Sequence, residues 1–233
     1  MIYPKHIWLI PDGNRTWAES KWIPKVMGHM EWFNKCVELS KYIFTNTDVE
    51  VFTVWWLSTE NFRKRSEDEL EYLFELYKKI PSDLYEFLSE NKINFKIVGD
   101  MSSLPSDLSS FLKEKQEEFT FYSKKSMVLA INYWWRDEII RWIKDLFQNS
   151  TNINDISEEN LSKYLDFWSL PNIDLVVRTK WDLAKRLSWF MLWWAWYAEL
   201  YFSKKKLPEF SIDDLNDALN WFDSINSNRN FGK

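Results

Sequence analysis

Glycine is the residue that this sequence most clearly lacks. The 233 residues include only 4 glycines, whereas glycine ordinarily supplies about 7% of a chain, or roughly 16 residues at this length. Tryptophan shows the reverse, with 16 residues. A globular protein with so few glycines is short of the residue that tight turns and left-handed backbone usually require.

Other scarcities exclude whole classes of protein. A single cysteine, Cys36, excludes internal disulfide bonds and multi-cysteine zinc sites, and it favours a reducing, cytoplasmic location. Two histidines are too few for a histidine-rich metal centre. The longest apolar run, 189–198, is about half of the roughly 20 residues that cross a bilayer. A net charge of -5 gives no overall attraction for nucleic acid, so we expect no such partner.

The common nucleotide and hydrolase motifs are also missing. The sequence contains neither a phosphate loop of the G-x-x-x-x-G-K-[ST] type nor a strand followed by G-x-G-x-x-G. It has no G-x-S-x-G nucleophile motif either. These absences argue against an ordinary NTPase, a dinucleotide-dependent dehydrogenase and a serine hydrolase.

What the sequence does contain is an alternation of strand-like and helix-like segments. Apolar residues recur at spacings of three and four between most of the strand-like runs, for example after the acidic start at 66–69. The strand-like runs are 7–11, 49–57, 93–98, 126–133, 173–179 and 199–203. We therefore predict one α/β domain spanning 1–233, with a mainly parallel six-stranded sheet flanked by helices.

Polar side chains follow several of these strands, where sheets of this kind bind ligands. Asp12 follows the first strand, Ser58 to Asn61 the second, Asn132 and Arg136 the fourth, and Arg178 the fifth. The pattern predicts one site for an anionic ligand with a metal such as Mg²⁺. Taken singly, Asp12 also suits a capping turn, and each arginine also suits a solvated surface.

Seven blocks of sequence resemble, in order and over nearly the whole chain, the cis-prenyltransferases, the group that contains undecaprenyl diphosphate synthase. The blocks are HIWLIPDGNRTWA at 6–18, GH at 28–29, LSTENF at 57–62, NY with Arg136 at 132–136, IDLVVRT at 173–179, RLS at 186–188 and YAELYF at 197–202.

The resemblance implies an activity and its partners. A member of this group condenses isopentenyl diphosphate with an allylic diphosphate, such as farnesyl diphosphate, and lengthens a cis-polyprenyl diphosphate such as undecaprenyl diphosphate. It implies Mg²⁺, a homodimer, a hydrophobic tunnel for the growing chain, and a cytoplasmic enzyme that contacts the inner face of the membrane peripherally. The alternative is a non-catalytic partner subunit of the same fold.

The resemblance also implies roles for particular residues. Asp12 and Asn61 are the expected catalytic residues, and Asp12 and Glu199 are the expected metal ligands. The expected substrate contacts are Gly13, Asn14, Arg15, Thr16, Trp17, Lys25, His29, Ser58, Thr59, Glu60, Phe62, Arg65, Arg178, Arg186, Leu187 and Ser188.

Three local departures from the group leave individual contacts open. Thr16 and Lys25 stand where arginine is common, and lysine keeps the charge but loses the guanidinium fork. The segment after Phe62 is one residue longer than in many members, so either Lys64 or Arg65 is the phosphate ligand. Two extra residues lie between Arg178 and Arg186. The sequence determines neither the product length nor the preferred allylic primer.

The largest departure concerns tryptophan, because ten tryptophans stand where the group commonly has glycine or another very small residue. They are Trp8, Trp22, Trp32, Trp56, Trp134, Trp135, Trp168, Trp181, Trp189 and Trp196. Exchanging them would leave 6 tryptophans and 14 glycines, close to ordinary usage. Our hypothesis is that the source organism reads UGA as glycine and that this sequence was translated from the gene with UGA read as tryptophan. UGG codons at these positions would exclude it, and the tryptophans would then predict poor folding or activity.

Overall fold

The computed structural model describes residues 1–121, 123–149, 157–180 and 193–226. Its strands are β1 His6–Ile10, β2 Val51–Ser58, β3 Asn94–Val98, β4 Ser126–Tyr133, β5 Leu175–Arg178 and β6 Glu199–Phe202. They form one sheet in the order β3-β4-β2-β1-β5-β6, and all five pairings are parallel. The prediction of a six-stranded α/β sheet is confirmed.

Helices follow most of the strands. Within the described residues they are α1 Asn14–Ser20, α2 Lys25–Asn46, α3 Thr59–Lys64, α4 Glu67–Asp83, α5 Tyr85–Glu90, α6 Ser106–Glu118, α7 Trp135–Asn149, α8 Glu158–Tyr164 and α9 Ile212–Asn226. Three of these helices begin after a serine whose hydroxyl accepts a backbone N–H: Ser58 from Asn61 at 3.1 Å, Ser66 from Glu69 at 3.4 Å and Ser157 from Asn160 at 3.1 Å. Serine at the cap satisfies a backbone donor that has no partner inside the helix.

The sheet is covered on both faces. Along β1, Ile7 and Leu9 belong to the larger apolar cluster, which also includes residues of α2, α4, α6 and α9. Trp8 and Ile10 belong to a second cluster, together with Phe167. Because successive side chains of a strand point to opposite faces, this alternation places a central strand between two layers.

The parallel register aligns the carboxyl ends of the central strands. Ile10 at the end of β1 pairs with Arg178 at the end of β5, and Ser58 at the end of β2 pairs with Tyr133 at the end of β4. The segments that leave these strands therefore meet at one edge of the sheet.

The ten tryptophans that stand where the group commonly has glycine or another very small residue, called the anomalous tryptophans below, occupy contrasting environments. Trp8, Trp32 and Trp56 are buried. Trp22 is 96% exposed and has a φ of 57°, the sole positive φ among the described tryptophans. Trp181 and Trp189 lie outside the described residues.

The turn between β4 and α7 differs from the expectation drawn from its two tryptophans. We expected Trp134 and Trp135 to stand where the backbone needs glycine, but the positive φ of this turn belongs to Asn132, at 49°. Trp135 is already the first residue of α7. Asparagine tolerates the left-handed region better than most residues, which accounts for its place here.

Candidate active site

A polar cleft of about 440 Å³ lies at the carboxyl edge of the sheet. It is bounded by the segment after β1, by α1 and α2, by the end of β2 with α3, and by the end of β5. The predicted residues that line it are Asp12, Gly13, Asn14, Arg15, Thr16, His29, Ser58, Glu60, Asn61, Arg65 and Arg178. Residues far apart in sequence are thus brought to one site, as the strand-end pattern predicts.

Asp12 and Arg178 form an ion pair across the floor of this cleft. The guanidinium of Arg178 donates from Nη2 and Nε to Oδ2 of Asp12, at 2.7 and 2.9 Å. The backbone of Asp12 is fixed as well, because the Thr179 hydroxyl donates to its carbonyl at 2.8 Å. The carboxylate of Asp12 nevertheless remains 42% exposed, so a ligand entering the cleft can reach it.

Two glycines allow the chain to shape the wall of the cleft. Gly13 caps α1 with a φ of 108°, in the left-handed region that side chains rarely adopt. Gly28 lets α2 approach α1 closely, since a Cβ at this position would lie 2.3 Å from the carbonyl oxygen of Asn14. Both glycines therefore help to set the position of Asn14.

His29 and Glu69 form a buried hydrogen bond beside the cleft. Nε2 of His29 lies 2.9 Å from Oε1 of Glu69. Burial lowers the pKa of His29 below its usual 6.5, although the Glu69 hydrogen bond opposes this shift. Burial alone would raise the pKa of Glu69, but the bond to His29 and the charges of Arg65 and Arg15 lower it. Because an ionised carboxylate only accepts, Nε2 of neutral His29 is the donor.

Arg65 points into this network, whereas Lys64 does not. Nε of Arg65 lies 3.6 Å from Oε1 of Glu69, and the side chain lines the cleft. Its Nη1 atom is buried and has no hydrogen-bond partner among the described residues. Lys64 instead pairs with Glu60 at 2.6 Å on the exposed side of α3. An unpaired buried donor is costly unless a ligand satisfies it.

Several predicted site residues lie elsewhere. Thr59 is buried and donates to the Asn132 carbonyl at 3.2 Å, and Phe62 packs against Phe74 with ring centroids 6.4 Å apart. Trp17 lies on α1 but does not line the cleft. Lys25 pairs with Glu19 at 3.1 Å.

Glu199 lies at the other end of the sheet from Asp12. Glu199 is the first residue of β6 and pairs with Leu175, the first residue of β5. Arg178 lies three residues further along β5 and pairs with Ile10 at the end of β1. At about 3.3 Å per residue, this separates the level of Glu199 from that of Arg178 by roughly 10 Å. The structure therefore does not bring the two expected metal ligands together within one chain.

Arg186, Leu187 and Ser188 lie outside the described residues. Arg136, expected at the same rim, lines a neighbouring cleft of about 350 Å³ that shares Ser58 and Glu60 with the first. The end of β4 thus contributes to an adjoining surface rather than to the main cleft.

Some residues of the site were not predicted from sequence. Glu69 holds His29, and Lys180, Trp32 and Trp56 line the cleft. In the sequence, Glu69 stands out only as the third residue after Ser66, a pattern that predicts a helix start and not a site residue. Its contact with a residue 40 positions away has no local signal.

The parallel sheet and the cleft, which collects a carboxylate, amides and guanidinium groups at its carboxyl edge, define an α/β protein with an anion site. The family model described as undecaprenyl diphosphate synthase matches residues 10–232. The chain therefore belongs to the undecaprenyl diphosphate synthase family, and it is a prenyltransferase by class.

Individual relatives agree over nearly their full lengths. An isoprenyl transferase of Treponema denticola is 36% identical over 98% of this chain and 97% of its own. A tritrans,polycis-undecaprenyl-diphosphate synthase (geranylgeranyl-diphosphate specific) of Thermoplasma volcanium is 36% identical over 93% of this chain and 84% of its own. A ditrans,polycis-undecaprenyl-diphosphate synthase ((2E,6E)-farnesyl-diphosphate specific) of Vibrio parahaemolyticus is 34% identical over 98% and 90%.

A solved structure shows the same fold. The crystal structure of lavandulyl diphosphate synthase from Lavandula x intermedia, in complex with dimethylallyl diphosphate, superposes with a TM-score of 0.84 at 28% identity. The match covers 94% of this chain and 95% of that one.

Proposed function

We propose that this protein condenses isopentenyl diphosphate with an allylic diphosphate, farnesyl diphosphate or a similar primer, to make a cis-polyprenyl diphosphate such as undecaprenyl diphosphate. The observation that carries the proposal is the cleft that joins Asp12, Arg15, Asn61, Arg65 and Arg178 at one edge of the sheet. The names of the relatives, two of which specify an allylic diphosphate, agree with this activity.

The polar lining suits a diphosphate. Arg15 and Arg65 offer guanidinium forks, which match the geometry of phosphate oxygens. Nη1 of Arg65 is a buried donor that lacks a partner among the described residues, and a phosphate oxygen would satisfy it. We assign the allylic diphosphate to this part of the cleft, with Gly13 and Asn14 contributing contacts.

The second substrate is proposed to bind by its diphosphate to Arg178, together with Arg186 and Ser188 from the undescribed segment. Asn61 would then orient the atom that loses a proton, with Ser58 and Glu60 beside it. The Ser58 hydroxyl fixes the Asn61 backbone, because it accepts from its N–H at 3.1 Å. The reaction breaks the carbon–oxygen bond of the allylic diphosphate and releases inorganic diphosphate. The allylic carbon forms a new carbon–carbon bond with the isopentenyl unit, which loses one proton.

The donor set fits a Mg²⁺ ion that Asp12 would hold together with phosphate oxygens of a substrate. Among the described residues, no three histidine, cysteine or acidic side chains cluster as a metal centre. Mg²⁺ commonly uses only one or two carboxylates together with phosphate oxygens, and the partly exposed Asp12 supplies one. When bound, Mg²⁺ would stabilise the negative charge of the leaving diphosphate. The role of Glu199 as a second metal ligand stays a prediction. The position of β6 does not favour this role within one chain.

We also propose that the protein is a homodimer. Ile140, Ile143 and Phe147 form an exposed apolar stripe on one face of α7, with exposed fractions of 51%, 39% and 76%. Residues three, four and seven apart share a helix face, and such a stripe is typical of a covered surface. Sedimentation of the Phe147→Glu variant tests this, because a dimer through α7 should dissociate.

A cytoplasmic enzyme that meets the membrane peripherally is part of the same proposal. In the ranges that the structure covers, no helix has the length and apolar character needed to cross a bilayer. The proposal of a peripheral contact comes from the lipid nature of the expected product.

The enzyme reading is tested by incubation with labelled isopentenyl diphosphate, farnesyl diphosphate and Mg²⁺. We expect chain elongation, and Asp12→Ala should abolish it, whereas Asp213→Ala, which removes an exposed carboxylate of α9, should not. A non-catalytic partner subunit predicts no elongation by any form, including one with glycine restored at the ten anomalous positions. The retained Asp12, Asn61 and Arg178 favour the enzyme.

A further inference from the structure

Strand β4 contains one extra residue, Asn132, where it ends beside β2. Leu57 of β2 pairs with Ile131, and the next residue, Ser58, pairs with Tyr133. Two residues of β4 thus stand opposite one step of β2, which is a β-bulge. In a regular strand Ile131 and Tyr133 would share a face, but here they belong to the apolar clusters on opposite faces of the sheet. The bulge therefore changes the direction of the side chains at the end of β4.

The bulged residue is buried in an uncommon backbone conformation. Asn132 has a φ of 49° and is 2% exposed. Its Nδ2 donates to the Asp100 carbonyl at 3.0 Å, and the Asp100 N–H donates back to the Asn132 carbonyl at 3.2 Å. Non-glycine residues in this region persist where their surroundings hold them, and they cluster at functional sites. The pair of hydrogen bonds holds Asn132 against the segment that follows β3.

The carbonyl of Asn132 also holds the first residue of α3. It accepts the Thr59 hydroxyl at 3.2 Å, and Thr59 is only 5% exposed. A carbonyl oxygen has two lone pairs, so it can accept from Thr59 and from the Asp100 N–H together. Thr59 does not line the main cleft, but the next two residues, Glu60 and Asn61, do. The hydroxyl of Thr59 therefore serves as an anchor beside the site.

We infer that Asn132 is a positioning residue of the active site, which acts through Thr59 to fix the direction in which α3 presents Asn61 to the cleft. This inference rests on the proposed function, because it concerns the step that we assign to Asn61. Helix α3 has only six residues, and a helix this short has little stability of its own. Its placement therefore depends on the anchors of its first turn, which are the Ser58 cap and the bond from Thr59 to the bulge.

The variant Thr59→Val tests this anchor, because valine keeps the shape of threonine and removes the hydroxyl. We expect kcat for elongation of farnesyl diphosphate to fall roughly 10- to 100-fold, as for a reacting group misplaced by about 1 Å. Calorimetric binding of farnesyl thiodiphosphate should change by less than about twofold, because the lost contact acts on the reaction and not on primer binding. Thr59→Ser, which restores the hydroxyl, should recover most of the lost kcat.

The matched control is Thr47→Val. The Thr47 hydroxyl also donates to a backbone carbonyl, that of Ile43 at 2.7 Å, but Thr47 lies at the end of α2 and does not line the cleft. We expect this variant to keep the parental kcat.

A double-variant cycle tests whether Asn132 acts through Thr59. Alanine at position 132 cannot bond to the Asp100 carbonyl and tolerates the left-handed region less well than asparagine, so Asn132→Ala should also lower kcat. If the two residues form one path, Asn132→Ala/Thr59→Val should be no slower than the slower single variant. Independent contributions would multiply, and that result would contradict the path.

Hydrogen exchange measures the anchor without any substrate. Loss of one neutral hydrogen bond should make the amides of 59–64 exchange roughly three- to tenfold faster in Thr59→Val than in the parent. The amides of α9, at 212–226, should exchange alike in both proteins.

The combined results distinguish this inference from the proposed function. Parental kcat in a folded Thr59→Val protein would overturn the inference, whether or not its exchange is faster. A loss of kcat with parental exchange would also overturn it, because Thr59 would then act on the substrate. Faster exchange at 59–64, with no elongation by any protein, would uphold the anchor and remove the proposed activity. If Thr59→Val does not fold, Thr59→Ala replaces it in each measurement.

Discussion

Replacement of Trp22 by glycine should stabilise the protein. Helix α1 ends in a motif in which the Trp22 N–H donates to the Glu19 carbonyl at 3.2 Å and the Ile23 N–H donates to the Ala18 carbonyl at 3.1 Å. In this arrangement the residue after the cap takes a left-handed conformation and is usually glycine. Trp22 has that conformation, with a φ of 57°.

The size of the effect follows from two opposing contributions. A left-handed conformation costs a residue with a Cβ about 1–2 kcal/mol, which glycine avoids. Glycine loses about 0.5–1 kcal/mol more backbone entropy on folding. Little burial is lost, because Trp22 is 96% exposed. The net gain should be about 0.5–1 kcal/mol, which corresponds to a rise of roughly 1–4 °C in Tm for a chain of this size.

Thermal unfolding followed by circular dichroism measures this change, with Trp22→Ala as the matched control. Alanine removes the indole but keeps the Cβ, so it should leave Tm close to that of the parent. If Trp22→Gly and Trp22→Ala have the same Tm, the strain at this position does not limit stability, and the reasoning is refuted.

Three further outcomes test other parts of the structure. Burial, followed by the charge of Asp166, raises the pKa of Glu138 from 4.5 to about 7. The contribution of Glu138 to stability is therefore present below pH 4.5 and is lost as the pH rises through 7. The free energy of unfolding should therefore fall by up to about 3 kcal/mol between pH 5 and 9, and Glu138→Gln should flatten that slope in urea titrations. Arg65→Ala should weaken calorimetric binding of farnesyl diphosphate by roughly 10- to 100-fold, as expected for loss of a charged hydrogen bond, while equal losses in Lys64→Ala would contradict the assignment. Gly28→Ala should lower the unfolding free energy by about 1–3 kcal/mol, because its Cβ would meet the carbonyl of Asn14, and an unchanged value would show that α2 can move away.

Local sequence signals were sufficient to predict the strands of the sheet and the edge at which their carboxyl ends meet. Each of the six strands combines apolar or β-branched residues with polar residues just beyond its end, and every predicted strand is present. Because parallel strands share a direction, the residues after β1, β2 and β5 could be assigned to one edge. Asp12, Asn61 and Arg178 lie there for that reason.

Contacts between distant segments were not predictable in the same way. The hydrogen bond between His29 and Glu69 depends on how α2 packs against α4. Whether Lys64 or Arg65 is the phosphate ligand depends on which side chain points into the cleft at the end of α3. Glu199 shows a different failure. As the first residue of a parallel strand it belongs to the amino edge, so strand direction argues against pairing it with Asp12.

The anomalous tryptophans are best understood by comparing their surroundings. Trp22 is almost fully exposed, in a backbone conformation that disfavours any side chain, and its ring contributes little burial. Trp32 and Trp56 are almost fully buried, in regular backbone, and their N–H groups find no described acceptor. No single property of tryptophan, whether apolar area, hydrogen bonding or backbone preference, suits both environments. Glycine suits the first by its freedom at positive φ and the second by its small volume. That these codons specify glycine stays a hypothesis, and the codons at the ten positions would test it.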